Sequence, residues 1–153
     1  MAPKVEELLD MTDEQLDALF AASEAGEIPD GEAKGTAIVA NGTSFSSEIA
    51  EMVGLFAWQG KTFDAKKGLL RNRILPFGLS AIIARVYKEP SWYDKKECIV
   101  LDYSDTSLVA RWIRDEIREI DKGFYLGKVY WGDKPLIHFA LQFPTASASG
   151  AEG

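Results

Sequence analysis

Thr106-Ser-Leu-Val-Ala-Arg-Trp-Ile-Arg-Asp-Glu-Ile-Arg-Glu-Ile120 can be read two ways, and the choice sets the architecture of the 153-residue chain. Apolar residues stand at 108, 109, 112, 113, 117 and 120. Taken alone, that spacing is the stripe of an amphipathic helix. Read with the period of two that a strand imposes, Ile113 and Ile117 share one face with Asp115 between them. Trp112, Arg114, Glu116 and Arg118 then share the other face. Periodicity by itself favours the helix.

The surrounding sequence is strand-like. Segments near 58–64, 69–75, 80–88, 97–103, 123–131 and 135–143 are rich in aromatic and β-branched residues. Turn signals separate them, among them Lys67-Gly68, Pro76-Phe77-Gly78, Pro90 to Asp94, Asp121-Lys122-Gly123 and Gly132-Asp133. In the last segment Ile137, Phe139, Leu141 and Phe143 fall on one face, and His138 and Gln142 on the other. Upstream, Thr12-Asp-Glu-Gln15 is a capping box that starts a helix, with Leu16, Leu19 and Phe20 on one side and Gly26 as its expected end. Thr36 to Ala40 is short and β-prone, closed by Asn41-Gly42. A second helix is expected near 45–57, capped by Ser46 or Ser47 and striped by Ile49, Met52, Val53 and Phe56.

The order of these elements resembles that of small uncharacterised bacterial proteins of the GXWXG type. Met11-Thr-Asp-Glu-Gln-Leu16 resembles their opening helix, and Trp58-Gln-Gly60-Lys61-Thr-Phe63 their Trp-x-Gly-Lys-x-Phe strand. Tyr93-Asp94, Asp102-Tyr103 and Tyr125-Leu126-Gly127 are similar to their later strands. No Trp stands near Gly35, so the naming motif itself is not intact. The resemblance implies a calycin-like (lipocalin-like) barrel and no known reaction. It makes 106–120 a strand, and the strand count then reaches eight. An antiparallel barrel of about eight strands is just wide enough to be filled by side chains or to hold one small ligand. The expected organisation is mainly β with two N-terminal helices: a helical arm over 1–30, a barrel domain over 31–144 that includes the helix near 45–57, and a flexible tail over 145–153. The helices are expected to cover a barrel end or an edge.

Charge narrows the function classes. Residues 1–60 hold 12 acids and 2 bases, whereas 61–88 hold 7 bases and 1 acid. The net charge of −7 argues against general nucleic-acid binding, which needs a basic footprint. No apolar run approaches the ~20 residues of a bilayer span, so no membrane partner is expected. The polar, acidic N-terminus lacks a secretory h-region, and the expected setting is cytoplasmic. One cysteine, Cys98, and one histidine, His138, exclude Cys-based zinc sites and multi-histidine sites. No metal and no cofactor are expected. Cys98, in an apolar strand, reads as a buried structural thiol, and His138 as a surface or hydrogen-bonded barrel histidine. Gly60, Gly78 and Gly127 read as bulges or close strand approaches.

The chemistry-bearing residues converge on a pocket. If the Arg114–Glu116–Arg118 face looks inward, two guanidiniums flank a carboxylate in low dielectric, a fit for a ligand carboxylate or phosphate. Asp115 or Glu116 then stands as a general base tuned by burial. Arg71 and Arg85 add cations, Tyr87 shares a face with Arg85, and Lys61 sits between Trp58 and Phe63. With Trp112 and Tyr125 these residues can make apolar walls around a few donors, which is what a small amphipathic anion needs. The first functional reading is therefore lipocalin-like binding of a small hydrophobic, anionic ligand such as a fatty or aromatic acid, through Trp58, Lys61, Arg71, Arg85, Tyr87, Trp112, Arg114, Arg118 and Tyr125. The second is a cofactor-independent isomerase, cyclase or decarboxylase using Asp115 or Glu116, with Asp102 and Tyr103 as further candidates. The third is a solid barrel that acts as an interaction protein, with acidic helices pairing with the basic middle segment in a homodimer.

Overall fold

The computed structural model describes residues 4–38, 61–72, 82–104 and 113–144. The helix expected near 45–57, the side chains of Trp58 and Trp112, and the tail over 145–153 lie outside the described residues.

The capping box forms as its residue types require. Gln15 N–H donates to Thr12 Oγ1 at 3.1 Å, and Thr12 N–H donates to Gln15 Oε1 at 2.9 Å. Helix α2 runs Asp13–Ala22, preceded by a short helix α1 over Val5–Leu9. The helix expected to reach Gly26 thus ends at Ala22. Ser23 turns extended and its hydroxyl donates to Leu19 O at 2.8 Å, which satisfies a helix-end carbonyl. The chain then crosses the barrel as an extended segment, with Glu119 N–H donating to Glu24 O and Ala25 O.

Eight strands follow: β1 Gly31–Ile38, β2 Lys61–Asp64, β3 Leu69–Asn72, β4 Ile82–Pro90, β5 Glu97–Asp102, β6 Ile113–Asp121, β7 Phe124–Trp131 and β8 Lys134–Gln142. Each pairs antiparallel with the next, and β1 pairs with β8, so the barrel is closed. The first strand begins earlier than Thr36, and β4 continues through Pro90 where a turn was expected. The helical periodicity of 106–120 is overridden from Ile113 onward. As β6 this segment closes the sheet between β5 and β7 and leaves neither with an open edge. Among the described residues no helix is long and apolar enough to cross a membrane.

Strand parity divides the core in two. Phe63, Leu70, Val86, Ile99, Leu101, Ile117, Phe139 and Leu141 line the lumen. Cys98, Val100, Leu126 and Ala140 point the opposite way, to the outer face, where Leu8, Leu16 and Phe20 of the arm cover them. Each such arm residue, fully buried, contributes roughly 1.5–3 kcal/mol. The arm therefore covers a flank of the barrel, and it is residues 24–30 that cross one end, with Ala25 and Ile28 packed on the luminal core. Gly127 is a close approach: a Cβ there would lie 2.3 Å from the Phe139 ring.

Candidate functional site

Among the described residues, three titratable side chains meet inside the barrel. Lys61 opens β2, paired with Ala33 and Asn72, and its side chain enters the lumen. Asp115 lies on β6, paired with Leu101 and Val129, four strands away around the wall. Tyr103 follows β5 directly. Lys61 and Asp115 are each 2% exposed and Tyr103 is 0% exposed. Lys61 Nζ donates to Tyr103 Oη at 3.4 Å, and the Tyr103 hydroxyl donates to the Asp115 carboxyl. Asp115 Oδ1 has no hydrogen-bond partner among the described residues. The Phe139 ring lies 5.9 Å from Lys61 Nζ.

Desolvation dominates the electrostatics of this group. Burial pushes the Asp115 carboxyl up to about 7, while the Lys61 charge and the Tyr103 hydroxyl pull it back down. Burial likewise brings the Lys61 ammonium down to about 8, against the attraction of Asp115. An acid and a base with converging proton affinities therefore face each other in an apolar lumen. That arrangement can hold a polar ligand head or move a proton.

The opposite face of β6 is built differently. Arg114, Glu116 and Arg118 share a face, as their spacing requires, but it is the outer one. Arg118 is 0% exposed beneath the arm. Its Nε donates to Glu97 O, Nη1 to Phe20 O and Asp94 Oδ2, and Nη2 to Asp94 Oδ1 and Lys96 O. These bonds use all five guanidinium donors. Hydrogen bonds from Arg118 hold the Asp94 carboxyl down at about 2, with burial opposing. Glu116 accepts from Ser91 Oγ at 2.6 Å, from Trp92 N–H at 2.8 Å and from Arg114 Nη2 at 2.9 Å and Nε at 3.1 Å. Arg114 also donates to Glu89 and stacks on Trp92, its Cζ 4.2 Å from the ring centre.

A third polar group pins the arm. Asp17 of α2 accepts from Lys128, and His138 Nε2 lies 2.8 Å from Asp17 Oδ1. Burial acts to raise the Asp17 carboxyl, but the hydrogen bonds from His138 and Lys128 outweigh it and hold it below the ordinary range. Cys98 lies buried nearby on the outer face, and burial pushes its thiol up to about 12.

The expected site residues thus separate. Lys61, Asp115 and Tyr125 face the lumen. Tyr125 sits at the end crossed by residues 24–30, its hydroxyl donating to Glu27 O at 2.7 Å, in a cleft of about 580 Å³ shared with Ile28 and Phe143. Arg114, Glu116 and Arg118 do not face the lumen, and the inward arginine clamp is corrected: Arg114 is taken up by Glu89, Pro90 O and Glu116, Glu116 also by the 91–96 loop, and Arg118 by the arm, that loop and Glu97 O. Glu116, held by four donors, is not placed as a luminal base. Arg71 and Arg85 are exposed on the outer face, and the Tyr87 hydroxyl donates outside the lumen to Asp102 Oδ2 at 2.7 Å. Trp58 and Trp112 lie outside the described residues. Sequence reasoning missed Phe139 as a neighbour of Lys61, although its position on the apolar face of the last strand was the available signal. It also missed the Asp17–Lys128–His138 group, which no local pattern joins.

No known family's sequence profile matches the chain, and no curated protein matches it. Among solved structures, the crystal structure of a protein from Thermomonospora curvata is similar, with a TM-score of 0.58 over 88% of this chain and 89% of that one, at 16% identity. At that identity the likeness is one of fold.

Proposed function

We propose that the barrel binds a small hydrophobic anion, a fatty or aromatic acid, with its acidic head at Lys61 and Tyr103. The observation that carries this reading is a lysine 2% exposed, directed into an apolar lumen beside Phe63 and Phe139. Buried opposite charges are weak support for a fold, since apolar replacements of similar volume are often neutral or stabilising. A ligand accounts for their place in the lumen. The head group meets the Lys61 ammonium, the Tyr103 hydroxyl and, below about pH 7, a protonated Asp115 that offers a third donor. Lys61 takes the place of the arginines expected from the sequence. The resemblance to GXWXG-type proteins at residues 58–63, the calycin-like barrel and a cytoplasmic setting belong to the same proposal.

Titration with a fluorescent long-chain fatty acid and with naphthoic acid tests it, followed by native mass spectrometry. One ligand should bind per barrel. Lys61→Met should weaken binding by about 1.5–3 kcal/mol, the range for a hydrogen bond to a charged group, while Lys61→Arg should retain most of it. An unchanged affinity in a folded Lys61→Met variant would overturn the reading.

A second reading, a cofactor-independent isomerase, cyclase or decarboxylase, is favoured by one observation: Asp115 keeps an oxygen without a partner among the described residues, beside a cation. With Glu116 and the arginines outside the lumen, Asp115 becomes its sole luminal carboxylate candidate from the expected pair. Deuterium uptake from D2O at the carbon next to the head group of a bound acid, abolished by Asp115→Asn, tests it.

A further inference from the structure

We propose that Lys61 is a Schiff-base lysine: its amine condenses with the carbonyl of an apolar aldehyde or ketone in the barrel, and Asp115 carries the protons. This rests on the reading that the lumen admits a ligand, and adds a chemical class to it. Three observations support it. Lys61 is buried against apolar and aromatic side chains, which raises the share of neutral amine above that of a lysine in water. Asp115 faces it from the opposite wall with one oxygen unpartnered among the described residues. Tyr103 bridges the two, accepting from Lys61 at 3.4 Å and donating to Asp115.

The steps balance on these groups alone. The neutral Lys61 amine attacks the carbonyl carbon, and the C=O π pair passes to oxygen, which takes the Asp115 proton. The new ammonium returns a proton to Asp115, giving a neutral carbinolamine. Asp115 then protonates the hydroxyl, which leaves as water while the nitrogen lone pair forms C=N. The product is a protonated imine with the Asp115 carboxylate as its counter-ion. No electrons are gained or lost. A lysine brought down to about 8 supports this at neutral pH. Roughly one in ten of its amines is then neutral, against about one in a few thousand for an unperturbed lysine.

The test is reductive trapping on the full chain. Protein at pH 7 is exposed briefly to benzaldehyde and cyanoborohydride, which delivers hydride to the C=N bond. Intact mass and peptide mapping then locate the benzyl groups. One benzyl group on Lys61, formed at least ten times faster than on any other lysine, is expected. Lys61→Arg should leave only the slow labelling of other lysines, with Lys61→Met as a second variant should the first not fold. Asp115→Asn should slow labelling at Lys61 at least tenfold. Fatty-acid titration of the same preparation separates the two proposals. If the acid binds and Lys61 is labelled no faster than the other lysines, the imine is overturned and the binding reading stands. If neither occurs, both fall. If Lys61 is labelled and no acid binds, the imine stands and the anionic head group falls.

Discussion

On the outer face of β6, Arg118 commits every donor it has to Asp94 and to three main-chain carbonyls. On the inner face of the same strand, Asp115 keeps an oxygen without a partner among the described residues. Both side chains are nearly inaccessible to water. The difference is completeness. A buried charge whose hydrogen-bonding capacity is filled holds elements together; one left partly unfilled is costly unless something else fills it. Arg118 therefore reads as the fastening of the arm and the 91–96 loop, and Asp115, with Lys61 and Tyr103, as the site.

Three measurements break or sharpen this contrast. The largest effect is expected from Arg118→Ala, which leaves Asp94 and the Phe20, Lys96 and Glu97 carbonyls without their shared donor. A loss of about 3–5 kcal/mol is expected in chemical denaturation, with trapping at Lys61 unaffected under conditions where the variant is folded. The paired substitution Lys61→Met with Asp115→Leu should behave in the opposite sense. It removes both charges together, so stability should hold or rise, by up to roughly 1–4 kcal/mol, while fatty-acid binding and trapping disappear. A loss as large as that of Arg118→Ala would make the luminal group structural and erase the contrast.

The smallest effect is the pH profile of stability. Asp115 is raised from 3.8 to about 7, so the folded state holds its proton more tightly, and stability falls as pH rises between those values. Lys61 is lowered from 10.5 to about 8, so stability recovers as pH climbs from about 8 toward 10.5. The pair should therefore produce a minimum between pH 7 and 8, absent in the paired variant. Asp94 works at the other end. Held down at about 2, it contributes stability above 3.8 that is lost as pH falls toward 2. Denaturation midpoints from pH 2 to 10 read both, and a flat profile through neutrality would remove the luminal pair from the account.

Much of the architecture was legible locally. The Thr12–Gln15 capping box is a contact between neighbours, and it forms as written. Ile137, Phe139 and Leu141 alternate with His138 because a strand has a period of two, and they divide in the barrel as expected. The same arithmetic applied to 113–118 grouped Arg114, Glu116 and Arg118 correctly but left open which side of the wall they take, and the pocket reading needed the inner one. Ile113 and Ile117 were the signal for the inner face, and they carry Asp115 in with them. The cations drew the reading because a pocket for an anion needs them. Two misjudged boundaries have simple causes: α2 stops at Ala22 because the chain must cross the barrel end, and β4 passes through Pro90 to reach the 91–96 loop.

By itself the sequence determined which residues share a face, where the first long helix begins and that some eight strands were available, because these follow from contacts a few residues apart and from the two-residue repeat of the strand. Only the tertiary structure decided which face is the lumen and that Asp115 keeps an oxygen there without a partner among the described residues. Where the arm covers it, at Cys98, Val100, Leu126 and Ala140, the outer face of the barrel is buried as thoroughly as the inner one. With both faces out of water, the alternation of polar and apolar residues no longer says which side is inside.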